Sequence, residues 1–379
     1  MKEYRSFRFE LIHKSKKSMA RVGRIHTPHG VIDTPNFVPV GTNASIKTLD
    51  SKTVQDLGVQ LIFCNTYHLL VQPGTDVVAQ AGGLHKFMNR DMPVITDSGG
   101  FQVFSLKYGG VADELKSRGT KREGGHVLKV GEDGILFRSY RDGSPIFLSP
   151  ETSIQAQKAL GADIIVAFDE LLPYHIDRKY QKLSLDRTHR WAERSLAEHK
   201  LNILDQALFA VIHGGVDKEM RCESCDFLTK LPFDGFGIGG SVGKNRQEMR
   251  EMLSWVTPRL PDEAPRHFLG IGNLQSLELC VPLGVDTFDS AHPTKAARHG
   301  LLFTKKGGLR ILKSGNSTNF GPVDEHCSCH TCKNYSVAYL QHLFKANEPT
   351  VLALATIHNL KFMVDLMANY RRLILDGKL

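Results

Sequence analysis

The chain has 379 residues, a formal net charge of +8 and 41% hydrophobic residues, a composition that excludes a disordered or fibrous protein. Its length accommodates one large domain or two of average size. No stretch approaches the roughly 20 apolar residues that a membrane helix needs. The first residues also lack the apolar run of a signal peptide, so we expect a cytoplasmic protein. The positive charge is compatible with a polyanionic partner such as a nucleic acid, although charge alone is weak grounds for one.

Short β-rich apolar runs that end in Gly, Asp or His recur along the chain, and segments with helical periodicity usually follow them. The runs are 37–40, 61–65, 93–100, 163–170, 208–215, 236–240, 267–273 and 286–293. The intervening segments 151–161 and 276–284 end in glycine, as helices often do. Eight strands joined by helical crossovers predict an α/β fold, the closed parallel (β/α)8 or TIM barrel. An open doubly wound sheet is the competing architecture, but no GxGxxG motif follows the first strand.

Three further segments extend this barrel. Residues 1–35 alternate apolar and polar side chains around His-Gly turns, which predicts an antiparallel cap across one barrel end. Residues 105–145 form a long connection rich in Gly, Lys and Arg, which is either functional or a solvated surface excursion. Residues 324–379 carry a cysteine cluster and a last amphipathic helix. We therefore divide the chain into a barrel unit, 1–323, and a helical subdomain, 324–379, packed on it.

The cysteine cluster is the strongest local signal. Its members are Cys327, Cys329 and Cys332, with His358 following on a predicted helix. Three thiolates and one imidazole make a closed tetrahedral zinc site with no position for water, which is a structural site. The alternatives are unliganded thiols, or His330 as the fourth ligand. Cys222 and Cys225 lie in a helical pattern, which favours a packed helix face over a second metal site.

Aspartates end three of the predicted strands. Asp97 ends the third strand, Asp169 the fourth and Asp289 the eighth. Any one of them could merely cap the next helix. Three that meet at the carboxyl end of a barrel, where TIM barrels place their catalytic groups, are better explained by chemistry. A nucleophile, a general acid/base and a carboxylate that reads a ligand are the natural division of roles.

Paired glycines follow several of these strands. Gly99-Gly100 stands before Phe101, and similar pairs follow His213 and form Gly239-Gly240. Glycines let a backbone approach a flat ligand closely. A neighbouring aromatic can stack on a base for about 1–3 kcal/mol, although Phe101 could equally be a core residue. The barrel mouth is therefore predicted to hold a flat polar ring.

Together these motifs resemble the tRNA-guanine transglycosylases. The matching segments run in order over nearly the whole chain: 65–69 (NTYHL), 97–102 (DSGGFQ), 168–170 (FDE), 288–289 (FD) with 293–294 (PT), and the Cys-x-Cys-x2-Cys…His set. The resemblance implies the exchange of guanine 34, the wobble base, in the anticodon stem-loop of tRNAs with GUN anticodons, those for Asp, Asn, His and Tyr. A 7-deazaguanine replaces it, as part of queuosine modification. Family members carry one structural zinc per chain, and bacterial members act as homodimers.

The resemblance also implies roles for individual residues. Asp289 would be the covalent nucleophile, Asp97 the general acid/base and Asp169 the reader of the guanine edge, with Phe101 stacking on the base. The other base-contacting positions are Ser98, Gly99, Gly100, His213 and Gly240. One RNA-contacting segment would be Gly270, Ile271, Gly272, Asn273, Leu274, Gln275 and Ser276. A second, which would recognise the wobble nucleotide, is Thr294, Lys295, Ala296, Ala297 and Arg298.

The implied reaction agrees with the chemistry of the residues. Breaking a bond at the anomeric carbon of a sugar passes through an oxocarbenium-like state, and a carboxylate nucleophile produces a covalent enzyme–RNA intermediate, as in retaining glycosidases. The target base must first be flipped out of its stack.

Several positions depart from the common bacterial pattern. Leu171 replaces a cysteine, His213 a glutamine, Lys295 an arginine and Asn273 a lysine, and a shortened loop ends in Lys244 where a glutamate is usual. The usual incoming base, preQ1, carries an aminomethyl arm that should be protonated. Lys244 would disfavour that arm by about 1 kcal/mol if both are partly shielded from water, unless its side chain turns into solvent. Queuine, the bulkier base that eukaryotic members use, is the alternative.

Two other functional classes remain open. A zinc-dependent TIM-barrel hydrolase would need His and Asp ligands at the barrel mouth, whereas the cysteine cluster lies beyond the barrel and is fully coordinated. A catalytically silent tRNA-binding subunit should lack the nucleophile, yet Asp289 and its flanking motif are present.

Overall fold

The computed structural model describes residues 6–100 and 127–379. Its strands are β1 (Arg8–Lys14), β2 (Arg21–Thr27), β3 (Gly30–Thr34), β4 (Asn36–Pro39), β5 (Ile62–Cys64), β6 (Val94–Thr96), β7 (Val127–Val130), β8 (Ile135–Arg138), β9 (Pro145–Leu148), β10 (Ile164–Val166), β11 (Ala207–Ile212), β12 (Gly235–Ile238), β13 (Arg266–Phe268), β14 (Thr287–Ser290), β15 (Leu301–Thr304) and β16 (Gly307–Arg310). Its helices are α1 (Ser51–Asp56), α2 (Thr66–Val71), α3 (Thr75–Gln80), α4 (Leu84–Phe87), α5 (Pro150–Leu160), α6 (Arg178–Leu201), α7 (Lys218–Leu228), α8 (Arg246–Val256), α9 (Leu274–Cys280), α10 (His292–Arg298), α11 (His330–Asn334), α12 (Val337–Lys345) and α13 (Thr350–Leu375). Short 3-10 helices span Thr257–Arg259, Val281–Leu283 and Ser314–Thr318.

Eight parallel strands form a ring in the order β4-β5-β6-β10-β11-β12-β13-β14. The ring closes between β4 and β5 through a parallel bridge from Val40 to Phe63 and a 2.8 Å hydrogen bond that the Gly41 N–H donates to the Phe63 carbonyl. Helices α5 to α9 alternate with strands β10 to β14 along the chain. The predicted (β/α)8 barrel is confirmed, and each of the eight predicted strands contributes to it.

Local sequence explains where the crossover helices begin and end. Ser149 caps α5 in a capping box with Thr152, and Gly161 ends the helix in a left-handed conformation with φ of 72°. Asp217 caps α7 by accepting a hydrogen bond from the Met220 N–H. The barrel strands are buried on both faces, as parallel strands covered by helices require. Their apolar runs are therefore continuous rather than alternating.

Strands β1, β2 and β3 form an antiparallel sheet at one end of the barrel. Ile25 and Ile32 of this sheet belong to the same buried cluster as Ile164 and Phe209 of the barrel strands, and the Phe7 ring meets Phe209 edge-on at 6.1 Å. The predicted N-terminal cap is confirmed. Because it covers the amino end of the barrel, the carboxyl end is where a ligand can approach the predicted aspartates.

The long connection after β6 contains regular structure that the sequence analysis missed. Residues 101–126 of this connection lie outside the described residues. From residue 127 onward it forms an antiparallel sheet in the order β7-β8-β9, and Ile135 and Phe137 of this sheet pack against Tyr67 and Trp191. Buried and more accessible residues alternate along β8, as they do in a sheet with one covered face.

The last helix, α13, shares the core of the barrel. Leu360, Met363, Met367 and Ile374 are buried in the same cluster as residues of the barrel strands. By length and composition this helix could span a membrane, which the sequence analysis did not anticipate, but ten of its residues are buried in the fold, as in the core helix of a globular protein. The boundary at 323/324 stays a prediction.

Candidate active site

A cavity of about 570 Å³ lies at the carboxyl end of the barrel strands. The three aspartates that end predicted strands, Asp97, Asp169 and Asp289, all line it. Apolar side chains make up much of the remaining wall, among them Val40, Phe63, Val166, Leu171, Val211 and Leu269. A largely apolar cavity with a few convergent polar groups is the usual form of a small-molecule site.

Asp97 is buried directly after β6. Its Oδ2 accepts a 2.7 Å hydrogen bond from the Asn65 side-chain amide, and its Oδ1 accepts one of 2.7 Å from the Thr66 N–H. The Thr66 hydroxyl also donates to the Asp97 carbonyl at 2.5 Å. Residues that follow the neighbouring strand β5 therefore fix the orientation of this carboxylate at the cavity wall.

Asp169 is held through both of its carboxylate oxygens. Oδ1 accepts a 2.7 Å hydrogen bond from the Ser98 hydroxyl, and Oδ2 lies 2.8 Å from His213 Nε2. The next residue, Glu170, accepts a 2.7 Å hydrogen bond from Arg187 of α6, which anchors this loop. Each oxygen of an ionised carboxylate can accept more than one hydrogen bond, so Asp169 can still receive N–H groups from a ligand.

Asp289 lies in β14 beside His267 of β13, a residue that the sequence analysis missed. His267 Nε2 is 3.1 Å from Asp289 Oδ1, which also accepts the Gly270 N–H at 2.9 Å. The other ring nitrogen of His267 lies 2.8 Å from the Thr287 hydroxyl. Among the described residues, these contacts to the Asp289 carboxylate go to Oδ1 rather than to Oδ2. A histidine that opens the predicted strand run 267–273 was the only sequence signal for this partner.

Two of the predicted glycines bring the backbone close to the cavity. A Cβ on Gly100 would lie 2.4 Å from the Asp169 carbonyl oxygen. Gly240 has a φ of +76°, and a Cβ there would lie 2.9 Å from His213 Nδ1. A side chain at Gly100 would collide with Asp169 and one at Gly240 with His213, so both positions require glycine.

The remaining predicted site residues differ in whether they line the cavity and in how exposed they are. Phe101 lies outside the described residues. Gly270 and Ile271 line the cavity, and Asn273 caps α9 by accepting the Ser276 N–H at 2.9 Å. Exposed residues in the two predicted RNA-contacting segments are Gly270, Gln275 and Lys295; intermediate ones are Ile271, Asn273, Leu274 and Arg298; buried ones are Gly272, Ser276, Thr294, Ala296 and Ala297.

Lys244, which the sequence analysis placed near the ligand, is not among the described residues that line the cavity. Its Nζ lies 3.8 Å from Glu248 Oε1 and 5.5 Å from the centre of the Tyr174 ring, and its side chain is 55% exposed. The charge of Lys244 is thus partly balanced by Glu248 and largely hydrated. This environment weakens the expected repulsion between Lys244 and a protonated arm of the incoming base, and which base enters stays a prediction.

The cysteine cluster forms away from this cavity, between α11 and α13. The ligand atoms of Cys327, Cys329, Cys332 and His358 all lie within 4.8 Å of one another. His358 Nε2 is 2.7 Å from the Phe303 carbonyl oxygen, which can only accept, so Nε2 carries the hydrogen. Nδ1 then faces the thiols as a ligand, 3.2 Å from Cys332 Sγ. Three thiols and an imidazole suit zinc, so the cluster could hold a metal ion.

The structure also distinguishes the other candidates for metal binding. His330 is exposed on α11 and contacts Asn334 at 3.1 Å, so His358 is the better fourth ligand. Cys222 and Cys225 lie on α7, where burial raises the pKa of the Cys225 thiol to about 12. That is the environment of a packed helix face, as the sequence predicted.

Comparison with known proteins agrees with this geometry. A family model described as "TGT: Queuine tRNA-ribosyltransferase" matches residues 15–379. A queuine tRNA-ribosyltransferase of Protochlamydia amoebophila (strain UWE25) is 63% identical over 368 residues, 97% of this chain and 95% of that protein. One of Chlamydia caviae is 52% identical over 375 residues, 99% of this chain and 100% of that protein. With its barrel and the three aspartates at the mouth, the chain belongs to the queuine tRNA-ribosyltransferase family, the tRNA-guanine transglycosylases.

Proposed function

We propose that this enzyme removes a guanine from tRNA and installs a 7-deazaguanine in its place, through a covalent enzyme–RNA intermediate. The observation that carries the proposal is the convergence of Asp97, Asp169 and Asp289 on one cavity at the barrel mouth. A metal-dependent hydrolase would need a ligand set there, but the metal-capable groups found among the described residues lie elsewhere.

The exchange consists of two substitutions at C1′ of the target ribose. In the first, Asp289 Oδ2 forms an ester bond to C1′ while the C1′–N9 bond breaks. Its electron pair leaves with guanine, which takes a proton from Asp97. In the second, the incoming base gives a proton to Asp97, and its nitrogen displaces Asp289 from C1′. Two inversions retain the sugar configuration, and ping-pong kinetics follow.

Base recognition falls to the groups around Asp169. Its carboxylate accepts the N–H donors of the guanine edge, and the Gly240 N–H donates to the base carbonyl. His213 orients Asp169 by the 2.8 Å contact between them. Phe101 stacks on the base, as the family resemblance implies.

The RNA substrate we propose is the anticodon stem-loop of tRNAs with GUN anticodons, with base 34 flipped into the cavity. Gly270, Ile271 and Ala291 line the cavity, so segment 270–276 starts at its rim and segment 294–298 begins three residues after Ala291. Lys295 is exposed there, where it can contact a phosphate. The net charge of +8 supports association with RNA.

The incoming base is either preQ1, which the family resemblance implies, or queuine, which the relatives' names contain. Because the charge of Lys244 is partly balanced by Glu248 at 3.8 Å and its side chain is 55% exposed, charge does not exclude preQ1. Leu171 at the cavity wall changes the shape of the site rather than its charge. Competition between the two bases, scored as kcat/KM, decides between them. A clear preference for preQ1 would end the case for queuine, and the reverse would show that the altered cavity selects the larger base.

We further infer that the Cys327, Cys329, Cys332 and His358 cluster holds one structural zinc ion per chain. Its donor set has no position for water, so the ion would clamp α13 to the barrel without entering the reaction. We also propose that the enzyme acts as a homodimer in the cytoplasm, where tRNA is found. Sedimentation at micromolar concentration tests the dimer, and a monomeric mass would refute it.

The covalent intermediate gives the test of the proposed function. The enzyme is mixed with an end-labelled anticodon stem-loop and analysed on a denaturing gel. Wild-type enzyme should give a retarded band, and Asp289→Ala should give none while still binding the RNA under native conditions. Asp76→Ala, at an exposed position on α3, is the control and should keep the band. A band with Asp289→Ala would reassign the nucleophile, and none with wild type would refute the covalent route.

A further inference from the structure

Arg221 is a fully buried arginine beneath the loop 239–242, which lines the cavity, and the neighbouring loop 213–215. It lies on α7 with 0% exposure, and each of its donor groups reaches a backbone carbonyl. Nη1 donates to Ile212 at 2.7 Å, Nε to Gly215 at 2.8 Å and Nη2 to Ser241 at 2.9 Å. The ion pairs of the described residues do not include Arg221.

These three carbonyls belong to the two loops that carry predicted base-contacting residues. Ile212 and Gly215 bracket His213 after β11, and Ser241 directly follows Gly240 after β12. One guanidinium therefore ties both loops to α7. The packing is close, because a Cβ on Gly240 would lie 3.8 Å from Arg221 Nη2. The guanidinium thus lies within one residue of the cavity wall.

The charge of Arg221 is surrounded by backbone carbonyl dipoles but is not neutralised by an ion pair with a described residue. Burial lowers its pKa to about 10, which leaves it protonated at neutral pH. Its neighbour Cys225 is a neutral thiol, since burial raises the pKa of that group to about 12. Carbonyl dipoles lower the cost of burying a cation but leave its net charge in place. In a water-poor site such a charge acts on its surroundings far more strongly than it would in water.

We propose that Arg221 serves base exchange in two ways, by positioning His213 and Gly240 against the base and by stabilising the negative charge that the departing base acquires. The inference rests on the proposed function. The base leaves with the electron pair of the C1′–N9 bond, so its ring and carbonyl oxygen become more negative in the transition state. A fixed cation behind the wall favours that state over the neutral bound base, which is how preorganised charge accelerates a reaction. Arg221 does not touch the base and is a positioning residue.

The two contributions separate in kinetics. Arg221→Met removes both the three guanidinium hydrogen bonds and the positive charge. Arg221→Lys keeps the charge but cannot form all three hydrogen bonds. Arg266→Met is the control, because Arg266 is also buried, has a pKa lowered to about 10 by burial, and donates to the Leu260 and Gly284 carbonyls at 2.9 and 3.3 Å. Unlike Arg221, it also forms an ion pair, with Asp262 at 3.3 Å. It lies at the start of β13, the opposite end of the strand from the cavity.

The experiment measures guanine exchange, tRNA binding, free-guanine binding by calorimetry and melting temperature for the four proteins. We expect Arg221→Met to lower kcat by about 100-fold, as loss of one preorganised charge-stabilising group does. Its KM for guanine should rise about tenfold and its tRNA affinity should stay within about twofold, since the RNA-contacting segments are elsewhere. Arg221→Lys should recover most of kcat but not KM. Arg266→Met should lower the melting temperature and leave both constants near those of wild type.

The proposal is wrong if folded Arg221→Met keeps wild-type kcat and KM, or if Arg266→Met loses as much. If Arg221→Met does not fold, Arg221→Lys decides, because a KM equal to that of wild type would overturn the positioning role. Failure of the proposed function would show differently, as a wild-type enzyme that exchanges no guanine. Positioning would then be judged on free-guanine binding, which should weaken in Arg221→Met and not in Arg266→Met.

Discussion

The two oxygens of Asp289 are held unequally, because His267 and the Gly270 N–H both contact Oδ1. Asp97 differs, since each of its oxygens accepts a hydrogen bond from a neutral donor, Asn65 or the Thr66 N–H. The first arrangement suits a nucleophile with one oxygen directed by its partners. The second suits a group that gives and takes a proton without changing position.

The role of Asp97 predicts a specific kinetic defect. Asp97→Asn keeps the shape of the side chain but removes the proton that we propose it exchanges with the bases, so kcat should fall by about 10²–10⁴. Binding of the tRNA stem-loop should change little. The measurement is guanine exchange at saturating base and RNA, with Asp76→Asn as a surface control. A loss of less than about tenfold would mean that another group carries the proton.

His213 predicts a defect in base binding. It lies 2.8 Å from Asp169, and removing it as His213→Ala leaves one oxygen of that carboxylate without a partner. The KM for free guanine should rise about tenfold, the cost of one hydrogen bond to a charged group. His213→Gln, which restores the residue of the common bacterial pattern, should recover most of the loss because an amide can also donate to Asp169. Equal KM values for wild type and His213→Ala would remove His213 from base recognition.

At the residue scale, the sequence predicts those site residues that stand at a recognisable place in an element, such as the end of a strand. Asp97, Asp169 and Asp289 end strands, and the barrel topology then places their side chains at one mouth. His267 and Arg221 could not be found in this way. The roles proposed for them rest on partners on other strands and loops, such as Asp289 or the Ser241 carbonyl, and neither periodicity nor a local motif encodes those contacts.

At the scale of elements, the cap sheet is joined to the barrel by His29. The buried Asp163 carboxylate accepts from His29 Nδ1 at 2.7 Å and from His85 Nε2 at 3.0 Å, and the two imidazoles stack at 3.5 Å. Burial acts to raise the pKa of Asp163, but the hydrogen bonds from His29 and His85 outweigh it and hold that pKa well below its usual range. The bond to Asp163 also raises the pKa of His29, against its partial burial.

This contact predicts a pH-dependent contribution to stability. Since the pKa of His29 is raised in the folded state, its contribution is fully present below the unfolded value of about 6.5 and is lost as the pH rises through the folded value. The difference in melting temperature between wild type and His29→Gln should therefore be largest below about pH 6 and shrink at higher pH. Thermal melts across that range measure it. A difference that grows with pH would contradict the assignment.

The cysteine cluster predicts a separate dependence on metal. Purified enzyme should contain one zinc per chain, and its removal by a chelator should lower the melting temperature before it affects exchange measured at low temperature, because the cluster lies away from the cavity. Cys332→Ser should act in the same way. Cys222→Ser, on α7 and outside the cluster, is the matched control. Active, folded protein with no zinc would refute the structural role.

Sequence patterns predicted some helices and strands and missed others. The capping box at Ser149 and the glycine at Gly161 define α5 locally, so that helix could be predicted with its bounds. Strands β7 to β9 could not, because they are four residues each and stand in a Gly- and Lys-rich connection. Their stability comes from packing on Tyr67 and Trp191, which are distant in the sequence.

At the scale of the whole molecule, the two ends of the barrel differ, since one is covered by a sheet and the other holds the cavity. The cap sheet covers the amino end through Ile25 and Ile32, and α13 packs along the barrel through Met363 and Met367. The carboxyl end holds the cavity. The barrel itself was predictable because its pattern of strand and helix repeats along the chain. The volume and the wall of the cavity were not, since they depend on how loops from different strands meet.

The central claim is that this chain exchanges guanine at one position of particular tRNAs. Labelled guanine is incubated with the enzyme and a tRNA bearing a GUN anticodon, and the label in RNA is counted. Incorporation should approach one guanine per tRNA, should be absent with Asp289→Ala, and should be absent from the same tRNA with cytosine at position 34. No label in the GUN tRNA, or equal label when position 34 is cytosine, would contradict the account.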